Sequence, residues 1–211
     1  ITNRLVGSEM CIRDRDLCGH ATVASAAHLY NKMGIKKITF RTNHDFLYCD
    51  VDHKCVSLIL PDQNIVKKEP NPVIKSILGT SCIDYYESKI HFIGVLDSFD
   101  SLIKWNNDFF SQDHLDKDQL ILTSKHSSSN YDYALRMFGT KNLGVIEDPV
   151  TGSAQPPIFS YWSQVLKKDD VLVHQSSERG GLMRVKSDLR GIEACKEYKN
   201  IKTFMLLPEG N

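Results

Sequence analysis

The 211-residue chain carries no surplus of either charge: 26 lysines and arginines face 26 aspartates and glutamates. Without a global field or a basic patch interleaved with aromatics, nothing argues for a nucleic acid, an anionic membrane surface or a polyanionic substrate. No apolar run approaches the roughly 20 residues of a membrane-spanning helix. The first 15 residues lack the order of charge, apolar block and small residues that marks a secretory signal. These absences point to a cytoplasmic protein with small-molecule partners. The six cysteines, Cys11, Cys18, Cys49, Cys55, Cys82 and Cys195, form no close CxxC pair and no repeating frame, which predicts free thiols and neither a disulfide framework nor a structural zinc site. His44, His53, His91, His114, His126 and His174 are scattered without ligand spacing, and Cys18-x-His20 has no evident third partner, so no metal is expected. There is no low-complexity segment.

What is present is ordinary globular material, 41% hydrophobic and 25% charged, long enough for one large or two small cores. Residues 1–15 stand apart: "LVGSEMCIRDR" has no apolar period and no turn chemistry, and resembles translated sequencing-adapter read-through. They are set aside from fold reasoning as an artefact, the alternative being a loose native tail. On that reading the native chain begins upstream of Asp16 and the sequence is a fragment.

From Asp16 the chain alternates helical and strand patterns. "DLCGHATVASAAHLYNKMG" reads as a helix apolar on every side, which belongs inside a core. "KKITFRTNHDFLYCDVDHKCVSLILP" is a meander with turns at "NHD" and "VDHK". "EPNPVIKSILG" predicts a short helix ended by Gly79, followed by strands at "CIDYYES" and "KIHFIGVLD". "FDSLIKWNNDFFSQ" predicts an amphipathic helix, and "DQLILTSK" and "YDYALRMFG" predict strands around a polar loop. A second apolar helix, "SAQPPIFSYWSQVLKK", precedes strands at "DVLVHQSS" and "GLMRVKS". The tail "YKNIKTFMLLPEGN" is weakly strand-like.

The two apolar helices are entered in the same way, through Cys18-Gly19-His20-Ala21 and through Thr151-Gly152-Ser153-Ala154. Each is read with strands before it and a meander after it, so the chain reads as two copies of one plan. A helix N-terminus presents unpaired N–H groups and partial positive charge, a ready anion site, and glycine at the entry lets a ligand approach the backbone. Ahead of the second helix, "GVIEDPVTGSAQ" concentrates chemistry: Val145 and Ile146 end a strand, Glu147 and Asp148 stand at its mouth, and Pro149 stiffens the turn. Asp148 can orient a histidine, bind an amine or carry a proton, although paired loop carboxylates are also common as solvated or capping groups. Ser153 suits an N-cap.

"CGHATVASAAHL", "GVIEDPVTGSA" and "YWSQVL", in that order and extended by "QSSERGG" at 175–181, resemble the PhzF-like family of phenazine-biosynthesis isomerases, and most of all its animal phenazine biosynthesis-like domain-containing members. The resemblance implies an α+β, diaminopimelate epimerase-like fold: two pseudo-symmetric strand barrels, each around a central helix, with the first barrel truncated here. The halves would be 16–87 and 88–211. It further implies a cofactor-independent isomerase that moves a proton on a small carboxylate-bearing substrate at the domain junction. His20, Asp148 and Ser153 are then the catalytic candidates, and Cys18, Gly19, Thr151 and Gly152 the substrate-binding ones. A homodimer is compatible with it.

Three departures qualify the resemblance. The family's N-terminal glutamate motif, of the type "NLSETAF", is absent from residues 1–211. Gln155 stands where the family has histidine, and Pro156-Pro157 follow it, which is expected to push Gln155 from helical angles and to disturb Ser153. Missing early strands would leave unpaired edges and a partly exposed helix, hence poor solubility or association. Two alternatives therefore stand beside the isomerase: a catalytically silent binding protein, and a thiol-dependent epimerase using Cys18, which Thr151 in place of a second thiol disfavours.

Overall fold

A computed structural model describes residues 19–41, 46–106, 108–112, 114–188 and 191–197. They form two compact units, one from the described residues of 1–59 and 195–211, the other from Leu60–Ala194. The segment 60–87 thus falls within the second unit.

The first unit opens with α1 (Gly19–Met33), stopped by Gly34, whose backbone sits at φ +69° and whose N–H returns to Tyr30 O at 2.8 Å. The meander follows as β1 (Lys37–Arg41), β2 (Phe46–Val51) and β3 (Cys55–Leu60), each antiparallel to the one before. Asp52 closes the β2–β3 turn by accepting from Lys54 N and Cys55 N at 2.7 and 2.8 Å. Period-two alternation holds in β2, where Leu47, Cys49 and Val51 are buried and Phe46 and Tyr48 exposed. The helix corrects one expectation: it is not buried all round. Only Thr22, Ala26 and Ala27, one stripe at helical spacing, are buried, because alanine-rich faces without a covering layer stay open to solvent whatever their composition. The thiols need a second correction. Cys49 and Cys82 are free, but Cys55 is disulfide-bonded. Pairing depends on Cα approach in the fold, which linear spacing does not report.

The second unit is built on a sheet of strand order β12-β11-β10-β8-β7-β6-β5-β4, with β9 beside β8. Its elements in chain order are β4 (Val66–Lys67), α2 (Pro72–Leu78), β5 (Cys82–Glu87), β6 (His91–Leu96), α3 (Phe99–Lys104), β7 (Gln119–Lys125), β8 (Tyr133–Gly139), β9 (Glu147–Asp148), α4 (Gln155–Leu166), β10 (Asp170–Gln175), β11 (Gly181–Asp188) and β12 (Gly191–Glu197). The β6–β7 and β8–β10 pairs are parallel, the first joined across α3 and the second across α4. Asn71 caps α2 by accepting from Ile74 N at 2.9 Å, and Gly79 ends it, as the sequence predicts.

Side chains of β7 and β8 divide between the two faces. Leu120, Leu122, Ala134 and Phe138 join Ile74, Leu78, Leu102 and Trp105 in one core cluster. On the other face Thr123 and Tyr133 meet α4: Trp162 Nε1 donates to Thr123 Oγ1 at 2.9 Å, and the Tyr133 and Trp162 rings stack 5.6 Å apart. The second apolar helix is therefore buried as expected, with Ile158, Phe159 and Trp162 in the core. Two elements differ from the sequence reading. α3 ends at Lys104, because Trp105 turns extended (ψ 124°) to bury its ring and donate Nε1 to Ile77 O at 3.1 Å. β12 forms in a stretch to which the sequence reading assigns no element, and the strand-like tail beyond it lies outside the described residues. No helix among the described residues is long and apolar enough to cross a membrane.

Candidate functional site

The segment 147–155 links β8 to α4 and carries the motif. β9 is only Glu147–Asp148, registered against Phe138 and Met137. The strand therefore lies at the two carboxylates, and Ile146, expected to be its end, is exposed. The two acids have different duties. Glu147 turns to Arg136, which grips it in a fork, Nε to Oε1 at 2.7 Å and Nη2 to Oε2 at 2.9 Å. Arg136 Nη1 also donates to the carbonyls of Leu102, Ile103 and Trp105, so Glu147 is committed to closing the end of α3. Asp148 is half-buried and accepts from Val150 N at 3.2 Å, folding the turn around Pro149.

The next residues are held from behind by buried amides. Gln175, on β10, accepts from Thr151 N at 2.6 Å and donates to Asp148 O at 2.6 Å and Thr151 Oγ1 at 3.1 Å. Gln155 donates to Thr151 O at 3.1 Å and accepts from Tyr133 OH at 3.3 Å. Both glutamines are fully buried, where an amide without partners would be costly. Gln155 N also bonds Gly152 O at 3.0 Å. These bonds hold Gln155 as the first residue of α4, against the expectation that Pro156 pushes it from helical angles.

The anion-site expectation also changes in detail. Pro156 and Pro157 have no N–H, so the first turn of α4 has little to offer. In the turn that precedes the helix, Gly152, Ser153 and Ala154 give their N–H groups to no other described residue. Ser153 is not the cap it resembles: Ala154 occupies that position and no side chain bonds it. A cavity of about 360 Å³ lies at the start of the motif segment, lined by Glu147, Pro149, Ser177, Glu178 and Arg179, within the size range of small-ligand pockets. Ser177 Oγ donates to Pro149 O at 2.7 Å, tying the 175–181 segment to the motif.

Of the residues singled out from the sequence, Asp148, Thr151, Gly152 and Ser153 are thus brought together by one turn of the second unit. Gly19 and His20 begin α1 of the first unit, His20 on the exposed side. Cys18 lies outside the described residues. The sequence reading gives Gln175 and Ser177 no role beyond their place in "QSSERGG" and Tyr133 none at all, because a glutamine or tyrosine inside a strand pattern gives no local sign that its polar end is buried against a loop.

Comparison with known proteins agrees with this architecture. Residues 73–202 match the PhzC-PhzF family, described as phenazine biosynthesis-like protein. An uncharacterized isomerase of Halalkalibacterium halodurans is 34% identical over 176 residues, covering 81% of this chain and 66% of the relative. The mouse phenazine biosynthesis-like domain-containing protein 1 is 32% identical over 186 residues, covering 78% of this chain and 64% of the relative. The chain thus spans two thirds or less of these relatives' length. A crystal structure of a phenazine biosynthesis PhzC/PhzF protein from Clostridium difficile superposes with a TM-score of 0.77 at 29% identity, covering 87% of this chain and 70% of that one. A PhzF family protein of Enterococcus faecalis gives 0.73 at 27% identity, covering 88% and 72%. With a mixed α+β fold, a matching family model over most of its length and relatives of one kind on every side, this chain belongs to the PhzC-PhzF family of phenazine biosynthesis-like proteins.

Proposed function

We propose that this chain carries the proton-transfer machinery of a cofactor-independent isomerase acting on a small carboxylate-bearing substrate, on a diaminopimelate epimerase-like plan. The observation that supports it most is the motif segment itself: Gly152, Ser153 and Ala154 give their N–H groups to no other described residue, and a cavity of small-ligand size lies against Glu147, Pro149 and Ser177 of the same segment and its brace. Such donors suit a carboxylate, and they suit it better as charge builds on its oxygens. In the proposed reaction a base removes a proton from a carbon between the carboxylate and a neighbouring C=C bond of the substrate, and the electron pair delocalises over that double bond and the carboxylate oxygens. A proton then returns at the far carbon of the double bond, which shifts by one position, so the net change is isomerisation. Asp148, His20 and Ser153 are assigned to catalysis, the first two as the proton-transfer groups, and Cys18, Gly19, Thr151 and Gly152 to substrate binding. Relatives of this chain are named isomerases, which supports the reaction class.

Solvent deuterium incorporation into a panel of small amino and hydroxy acids tests the reading. Incorporation that disappears in Asp148→Asn and His20→Ala is the expected result. Binding of an acid without any incorporation would favour the silent binding protein, and incorporation lost on thiol alkylation would favour the Cys18 epimerase.

A further inference from the structure

We propose that Gln175 is the positioning residue of the motif turn: its side-chain amide holds the backbone of residues 148–151 so that Asp148 and the N–H groups of 152–154 face a ligand in one fixed arrangement. The inference deepens the isomerase reading and rests on it only for its consequence in turnover.

The geometry is complete on both ends of the amide. Gln175 Nε2 has two protons, and they go to Asp148 O and Thr151 Oγ1; Oε1 takes the proton of Thr151 N. The partners lie at either end of a four-residue turn, so one side chain closes it like a strut. Within the turn, Pro149 has no N–H to give, and Val150 N is taken by Asp148 Oδ1. Thr151 N is therefore the last donor committed inward, and Gly152 is the first left over. Remove the strut and Thr151 N loses its acceptor, while the remaining bonds on the turn, from Gln155 to Thr151 O and Gly152 O and from Ser177 to Pro149 O, fix carbonyls and not this donor.

The strut stands on a rigid base. Gln175 pairs with Leu135 of β8 on one side and Gly181 of β11 on the other, and both Gln175 and Leu135 are fully buried. The following residues reinforce it: Ser176 N donates to Leu135 O at 2.8 Å, and Ser177 Oγ holds Pro149 O. Gly181 lets the turn come close, since a Cβ there would lie 2.3 Å from Val150 Cγ2. An apolar residue at 175 would fill the space but strand a buried carbonyl and a buried N–H, so the amide chemistry, and not bulk, is what the position requires.

Hydrogen–deuterium exchange of the whole chain, with peptides covering 148–155, reads the strut without any substrate. In Gln175→Ala, exchange at Thr151 is expected to accelerate at least tenfold while the amides of β7 and β8 stay unchanged. Gln175→Glu supplies a second variant of equal length. Ionised, it keeps an acceptor for Thr151 N but turns an anionic oxygen toward Asp148 O, so protection of Val150 and Thr151 falls. On acidification the protonated carboxyl regains a donor toward Asp148 O, and protection, corrected for intrinsic exchange, returns. A residue that merely fills space would show no such pH-dependent rescue. Once a substrate is in hand, kcat is expected to fall about a hundredfold in Gln175→Glu at neutral pH and to recover in the same acid range. Unchanged protection at Val150 and Thr151 in both variants overturns the inference, whether or not the protein turns anything over. Lost protection in a chain whose wild type incorporates no deuterium into any acid upholds the strut and counts against the isomerase reading instead.

Discussion

The Arg136–Glu147 fork offers the sharpest energetic test, because it separates a structural acid from its chemically assigned neighbour. Arg136→Met removes two bonds to Glu147 and three to the carbonyls that end α3. It leaves a carboxylate that is 19% exposed facing a former partner that was 15% exposed. Breaking a fully buried pair by deleting one member costs about 3–5 kcal/mol; the residual solvent access here places the expected loss at the lower end, about 3 kcal/mol. For a chain of this size that corresponds to a fall in Tm of roughly 6–12 °C. Arg136→Lys keeps the charge but not the planar fork, and is expected to lose about half as much. Glu147→Gln, costly in the native background, should be neutral or stabilising in the Arg136→Met background, where it relieves an unpaired charge. That gives a coupling of about 1–2 kcal/mol in the double-mutant cycle. Urea unfolding followed by tryptophan fluorescence is suited to this, since Trp105 gives its carbonyl to Arg136. A loss under about 1 kcal/mol in Arg136→Met, or equal effects of Glu147→Gln in both backgrounds, would refute the reasoning.

Two further outcomes follow from the second unit. Burial pushes the Glu87 carboxyl up, but hydrogen bonds from Lys68, Lys117 and Tyr85 outweigh it and hold the group at about 2, against 4.5 for an unperturbed glutamate. Between those values the unfolded chain takes up a proton that the folded chain refuses, so the stability contributed by Glu87 is complete above about pH 4.5 and drains away as pH falls toward 2. Glu87→Gln is expected to weaken the protein at pH 7 by on the order of 3 kcal/mol and to flatten the acid limb of stability against pH; an unchanged limb in denaturant titrations would count against it. Gly181→Ala drives a Cβ into Val150 Cγ2, and the stiff, β-branched valine cannot swing clear. A loss of about 1–3 kcal/mol is expected, together with faster amide exchange in 148–151. Wild-type stability and exchange would show that the turn gives way freely.

Much of the second unit is legible from local pattern. Asn71 three residues ahead of Ile74 and Gly79 at the end of the run delimit α2, and alternation or continuous apolar runs mark β5 to β8. The pattern fails where a distant partner decides. Trp105 leaves its helix because its indole finds Ile77 O. Gln155 stays in α4 because Thr151 O and Tyr133 OH hold its side chain. The alanine helix α1 looks fully buried from composition alone, yet only the stripe of Thr22, Ala26 and Ala27 is covered.

The amino-acid order by itself determined the strand and helix periods, the placement of the motif turn before a buried helix, and the family to which the chain belongs, because these depend on neighbours a few residues apart. Only the tertiary structure decided that Glu147 braces α3 while Asp148 shapes the turn, that Cys55 is oxidised, and that Gln175 reaches back 24 residues to hold Thr151. The physical reason is that a buried polar group must find a partner wherever the fold supplies one, and sequence distance carries no record of which group that is.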